Sequence, residues 1–559
     1  MSINIFILQP SLEWQLHGQL GIIECEAVDR VSDASAAAAV TVATPESPTK
    51  VALYEMDEGF LGTDTSWALS ETALATTEPL LDDLPKLAHL APVSLSPYSD
   101  LNISSHPSNN PLMTPGSSTA TTSRPYTPNP APTIKELNIS ERIRANLDQV
   151  FFDHVHTIMP IINERHYFSW AGQDRLEPGR ACLRSAMHTL AAALSSSFSS
   201  LSEALYAQTR QLLNDLDAMD MAAVQLEHIQ AGLFVAHYEY LRVCEHRGML
   251  TAGRTFRLVH MSRLYDMDAA LCFSPASMPL PDMTFSETEE RRRTVWLAFA
   301  LDRFLSARNE WPLTLHEDMI CIRLPAPETN FQNNQPIQMG YLPEAVANSG
   351  GSSALSPFAE CIVIAALYGR CMNHRRLVHT AVASGNSCGS TWKRLEWLSA
   401  NLDSRIQRLT QSSPAGVASL AERDPMLTFA HMLTHASIIH LYHTAQAAPL
   451  KLGNNSWQPM AHNYEQSAYR SASHIAQLAE AVAQLDYSKV HPFSPNALSS
   501  ATTFLMSRVK PLGLSSPSQE TGHKVEQLFN ALRSLKDANV LARELLWVLE
   551  ADRWAGYDL

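Results

Sequence analysis

The sequence predicts an all-α protein: a large multi-helix domain over residues 138–559, preceded by a disordered acidic and Pro/Ser-rich segment. Three observations predict it. Through the last three quarters of the chain, apolar residues recur at spacings of three and four, the period of a helix with one buried face. Alternating strand patterns and Asn-Gly or Asp-Gly hairpin turns are missing. Charge and proline are unevenly spread: of the net -15, residues 1–140 carry 16 acidic and 5 basic side chains, which leaves -4 for the other 419 residues.

Residues 1–30 form an atypical N-terminus. The apolar run Met1 to Leu8 has no basic flank and no small-x-small cleavage pattern after it, so no secretory signal is expected. Residues 31–137 read as a disordered acidic, then Pro/Ser/Thr-rich, linker. Within it, Val51 to Leu90 mixes Glu55, Asp57, Glu58, Asp64, Glu71, Glu78, Asp82 and Asp83 with Tyr54, Phe60 and Trp67. That alternation is typical of activation segments, in which charge opposes collapse and keeps aromatics available to a partner groove, and equally of a solvated linker. Pro92 to Pro132 holds nine prolines among Ser, Thr and Asn, a linker composition. Ser/Thr-Pro pairs at Thr44, Ser47, Ser96, Thr114 and Thr127 are either proline-directed phosphorylation sites or ordinary linker residues.

Order begins near Asn138, placed to cap a helix with Glu141 as its reciprocal partner. Ile143, Leu147, Val150, Phe151, Val155 and Ile158 then mark one buried face, and Pro160 ends it. The same period runs through Leu226 to Leu241, Phe256 to Tyr265, Thr294 to Leu305, Phe358 to Leu377 and Met426 to Tyr442. It resumes over Val525 to Leu549, in two pieces broken near Asp537. Pro325 to Ser356 and Ser412 to Pro425 read as long loops. The longest nearly unbroken apolar stretch, Cys361 to Tyr368, falls far short of the ~18 to 20 residues that span a bilayer, so no membrane partner is expected.

Three segments carry a family pattern: Val150 to Trp170 (VFFDHVHTIMPIINERHYFSW), Ala252 to Asp268 (AGRTFRLVHMSRLYDMD) and Glu287 to Pro325 (ETEERRRTVWLAFALDRFLSARNEWPLTLHEDMICIRLP). In this order they resemble the fungal-specific transcription factor domain, the regulatory middle region of fungal zinc-cluster regulators. The resemblance covers roughly residues 145 to 550. It implies a nuclear regulator of polymerase II transcription, often of a metabolic or secondary-metabolite gene set, that works by protein contact with the transcription machinery or a coactivator, with homodimerisation compatible. Regulators of this kind usually read DNA through an N-terminal cluster of six cysteines holding two zinc ions, but this chain has Cys25 and then no cysteine until Cys182. No zinc or other cofactor is therefore expected in it, and with an acidic first quarter its own contact with DNA should be weak. Either it works through a DNA-binding partner regulator, as activator, cofactor or inhibitor, or its start replaces a lost cluster.

The motif residues themselves read as structural. Glu289 and Arg293 form an i,i+4 pair expected on an exposed turn, and three arginines beside Glu287, Glu289 and Glu290 leave no net basic patch for phosphate. Asp302 and Arg303 sit in a nearly all-apolar helix and therefore need partners. Two patterns suggest chemistry only superficially. Gly385-Asn386-Ser387-Cys388-Gly389 matches a nucleophile elbow, but the helical pattern before Ser387 is the wrong context for a hydrolase. His431, His435, His440 and His443 lie on one helix, yet no third convergent metal ligand accompanies them, and Cys361 and Cys371 read as small core residues. No catalytic, cofactor or metal residue is assigned.

Overall fold

The computed structural model describes residues 137, 139–219, 224–269, 283–347, 355–384, 389–412, 421, 423–447, 457–509 and 519–555. The acidic, proline-rich and phosphorylation readings lie outside these residues, as do Asn138 and Ser387. Among the described residues the structure is α-helical, and the isolated antiparallel bridge between Arg323 and Tyr341 is the one β pairing.

The first helix, α1 (Glu141–Val150), corrects one expectation. Its cap is Ser140, whose Oγ accepts from the Ile143 N–H at 3.4 Å. Asn138 lies two residues too early for that role. Leu147, Phe151, Val155 and Ile158 are buried as the spacing requires, but the helix widens into a π turn over Phe151–Val155 before the chain reaches Pro160. Helices α2 (Glu164–Ala171), α3 (Pro178–Ala193) and α4 (Ser202–Ala218) follow, then α5 (Leu226–Tyr238) with a second π turn over Glu239–Val243, and α6 (Glu245–Ser262). The long helix α7 (Phe285–Ser306) starts at a complete capping box, in which Thr284 and Glu287 satisfy each other's backbone N–H groups.

The stretch Pro325 to Ser356 is not a plain loop. It contains α8 (Glu328–Gln332) and α9 (Leu342–Ala347), which carry side chains back onto α7 and α10. The second half comprises α10 (Pro357–Ala383), α11 (Gly389–Ser412), α12 (Pro425–Ala447), α13 (Trp457–Val482), α14 (Ser494–Val509), α15 (Gln519–Leu535) and α16 (Val540–Ala555). The break near Asp537 falls between α15 and α16, as the pattern predicts.

Two hydrophobic clusters organise these helices. The larger joins α1 to α7 with α9, α10, α11, one face of α12 and part of α16. The smaller is confined to α12 to α16, where Ala468, Ala472, Ala476 and Ala479 line one face of α13 and let neighbouring helices approach closely. Helices α12 and α16 belong to both, which makes them the seam of the fold. No described helix is long and apolar enough to cross a membrane.

Candidate functional site

The three motif segments converge on the first turns of α7. Arg293, only 1% exposed, donates to the Pro160 carbonyl at 2.6 Å, to the Ala326 carbonyl at 2.8 Å and to Glu328 at 2.6 Å, and its guanidinium lies 4.1 Å from the Phe331 ring centroid. Glu289, equally buried, accepts from Arg293 at 3.2 Å, from Arg292 at 2.5 Å and from the Ala326 N–H at 2.8 Å. The exposed-turn expectation is therefore wrong for this pair. The i,i+4 spacing is right, but α8 and the Pro160 turn fold over it and turn a surface pair into a buried network.

Arg292 grips Asp268, at the end of the second motif segment, through two bonds of 2.8 Å, and Asp268 also accepts from the Arg323 N–H at 2.9 Å. Burial would raise the Asp268 carboxyl, but the Arg292 hydrogen bonds and charge outweigh it and hold the carboxyl below its usual value. Glu328 follows the same logic. Desolvation opposes ionisation, yet the His156 hydrogen bond and the Arg293 charge bring its pKa down to about 2. Glu290 accepts from the first segment's His166 at 3.0 Å and from Gln230 at 3.1 Å. Each motif piece thus supplies one component of a single joint.

Further along α7, Asp302 and Arg303 find the partners their setting demands. Asp302 accepts from the Thr314 N–H at 3.0 Å and the Leu315 N–H at 2.9 Å, and Arg303 donates to the carbonyls of Phe299 and Leu315. These two side chains fasten the Trp311-Pro312 turn to the helix. Trp296, fully buried, donates its indole N–H to the Arg323 carbonyl at 2.7 Å. Phosphate contact by Arg292 or Arg293 has no structural support, because both guanidiniums are consumed internally. In the second segment the small residue that matters for packing is Ala252, fully buried, whereas Gly253 is exposed with no atom near its missing Cβ. The close approach of α5 to α6 occurs instead at Gly232, where a Cβ would stand 2.4 Å from Thr255 Oγ1.

The histidines of α12 are largely buried. Desolvation pushes His435 and His440 down to about 3, and His431 and His443 to about 4. No metal-binding group of His, Cys, Asp or Glu occurs among the described residues. Cys361 and Cys371 are buried free thiols, pushed up by desolvation. Around Ser387 the flanking elements are helices α10 and α11, not the strand and helix of a nucleophile elbow.

A cavity of about 320 Å³ lies where α7, α10, α12, α14 and α16 meet. Phe304, Phe429 and Phe493 supply its apolar wall, and Glu310, Arg375, His440 and Thr503 are among its polar lining. Nothing local in the sequence marks it, since its walls come from five helices far apart in the chain. The one available signal was the histidine run on α12, two members of which line it.

Residues 149–372 match the model of the fungal specific transcription factor domain. Among curated relatives, the asperfuranone cluster transcription factor of Emericella nidulans is 41% identical over 73% of this chain and 65% of its own length. The sorbicillinoid biosynthetic cluster transcription factor 1 of Penicillium rubens is 37% identical over 75% of this chain and 72% of its own. The pigment biosynthesis transcriptional activator of Monascus ruber is 35% identical over 76% and 77%. No solved structure matches the chain.

Proposed function

The chain belongs to the fungal specific transcription factor domain family, and on that premise we propose that it is a nuclear activator of polymerase II transcription serving a secondary-metabolite gene cluster. The observation that carries this reading is the convergence of all three motif segments on one buried joint, in a chain whose relatives are named as cluster transcription factors. The helical body acts by protein contact, without catalysis. The acidic segment Val51 to Leu90 supplies the contact with coactivator or transcription machinery.

A second reading rests on the cysteine positions. This reading is a cofactor or inhibitor role beside a complete DNA-binding regulator; in this sequence Cys25 is followed next by Cys182, a spacing that no six-thiolate cluster has. Tethering the full chain to a heterologous DNA-binding module separates the two. Reporter activation that disappears when residues 51–90 are deleted supports the activator, whereas silence or repression by the intact fusion overturns it in favour of the cofactor.

A further inference from the structure

Helix α6 turns one face into the core, through Thr251, Ala252, Thr255, Phe256 and Val259, and shows solvent another. Arg247, Leu250, Arg254, Arg257 and Met261 occupy that outer face. Their spacings of three, four, three and four place them within about a quarter of the helix circumference, the seam spacing of a helix that pairs with a second helix. Leu250 is 62% exposed and Met261 64%, and of the large apolar side chains described only Trp547 is more exposed.

The second motif segment, Ala252 to Asp268, spends other residues inside the fold: Ala252, Phe256 and Val259 in the core, and Asp268 in the joint with Arg292. Gly253 and Arg257 have no such use. Glycine in a helix interior is destabilising relative to alanine, and no atom lies within 4 Å of the Cβ that Gly253 lacks, so nothing inside the described protein calls for it. What its bare backbone does supply is room for another helix to come close to α6.

Charge then selects the partner. Glu245, the one acidic residue of α6, turns to Arg308 at 2.8 Å, which leaves the exposed charged side chains of the helix all arginine. Arg257 makes no hydrogen bond or ion pair among the described residues. Arg254 reaches Asp217 at 2.6 Å and Arg247 stands 3.9 Å from Glu239, but both side chains remain half exposed and present charge outward. In a chain of net charge -15 this is a local positive stripe. The same face of a second copy would meet it with like charge, which opposes pairing. Phosphate alone does not account for it either, because Leu250 and Met261 offer a nucleic-acid backbone nothing.

We infer that the outer face of α6 docks an acidic amphipathic helix of a partner protein, its apolar residues packing on Leu250 and Met261 across Gly253 and its carboxylates facing Arg254 and Arg257. Leu250 and Met261 are about 16 Å apart along the helix, so roughly three turns of partner suffice. The inference deepens the reading that the helical body acts by protein contact. Its test reads binding and the reporter reads transcription, so failure of one is told apart from failure of the other.

The test uses the purified full-length chain and a fluorescein-labelled peptide of about four helical turns, built from alanine and glutamine with leucine and glutamate at the seam positions of one face. Its comparisons are a scrambled isomer of the same composition, a version with every glutamate replaced by glutamine, and a labelled DNA duplex. In anisotropy titrations the patterned peptide should bind at least about tenfold more tightly than any of the three. Arg257→Glu should weaken it about tenfold, whereas Lys393→Glu, at an exposed cation of α11 outside this face, should not. Gly253→Gln should raise the thermal midpoint, since glutamine favours helix over glycine, and yet weaken the peptide about tenfold by filling the approach. No binding of the patterned peptide, binding equal to that of its scrambled isomer, tighter binding of the duplex, equal effects of Arg257→Glu and Lys393→Glu, or unchanged affinity in Gly253→Gln would overturn the docking site.

Discussion

The two halves of the helical body solve burial in opposite ways. From α1 to α7 the core contains charge: Glu289, Arg293, Asp302 and Arg303 are each at most 3% exposed and each is held by several hydrogen bonds. From α12 to α16 the smaller core is apolar and alanine-rich, its neighbouring buried imidazoles are neutral, and its arginine pairs stay near the surface. The difference teaches where specificity comes from in each half. A buried ionic joint fits only one arrangement of α2, α7 and α8, because any other leaves a charge unpaired in a low dielectric. Small residues along α13 specify proximity without fixing direction so strictly. The family match over residues 149–372 covers the half with the joint.

The strongest way to break this contrast is Arg293→Met. The substitution removes the bonds to Pro160, Ala326 and Glu328 together and leaves Glu289 with less of its compensation. Removing one partner of a buried pair costs about 3 to 5 kcal/mol, so the variant should unfold at much lower urea than the parent. A loss under about 1 kcal/mol in equilibrium urea melts would show that the joint is not what fixes the first half.

Acid should act with opposite sign at α12 and at the contact between α2 and α7, while His237 in α5, buried and lowered to about 4, follows α12. His435 and His440 have folded pKa values of about 3, below the unfolded value. The unfolded chain therefore takes up protons first, and stability falls as pH drops below about 6.5 until it levels off near the folded values. Each contributes up to roughly 1.4 kcal/mol per pH unit in that window. In the first half His166 is shifted the other way, raised by its hydrogen bond to Glu290 against the lowering effect of burial. Its contribution is fully present below pH about 6.5 and is lost as pH rises through the raised folded value. Hydrogen exchange between pH 7 and 5 should show α12 and α13 opening progressively while α2 and α7 stay protected. Equal loss of protection in α12 and in α2 and α7 would remove the distinction.

How much of this was legible in the sequence depends on how far apart the interacting residues lie. Helix α7 is read easily, because its apolar run and its Glu289–Arg293 spacing are local. The burial of that pair is not, since the carbonyls of Pro160 and Ala326 that complete it lie 133 and 33 residues away. Helices α3 and α13 escaped the periodicity for different reasons. The C-terminal two-thirds of α3 is buried nearly all round, so no polar face alternates with an apolar one, and α13 uses alanine where the pattern looks for leucine. Asn138 matches the capping-box spacing to Glu141, but Ser140 directly precedes the helix and makes the cap. The cavity was the least legible feature, because Phe304, Arg375, His440 and Thr503 share nothing in sequence.

The smallest expected effect sharpens the contrast most directly, because it repeats the largest one at a different depth. Arg533 in α15 also bridges two carboxylates, Glu526 at 2.8 Å and Glu550 at 3.2 Å, but its side chain is 39% exposed and theirs 42% and 41%. Water and salt screen such pairs, and part of the side-chain entropy is recovered when they break, so Arg533→Met should cost less than about 1 kcal/mol. Raising the salt concentration should weaken the parent's Arg533 pairs and leave the Arg293 joint nearly untouched, since its guanidinium is out of reach of solvent ions. The same substitution at two arginines with similar partners then isolates burial as the variable. Urea melts of both variants at low and high salt give the comparison, and equal costs at the two positions would mean that partner number rather than burial sets the stability of this fold.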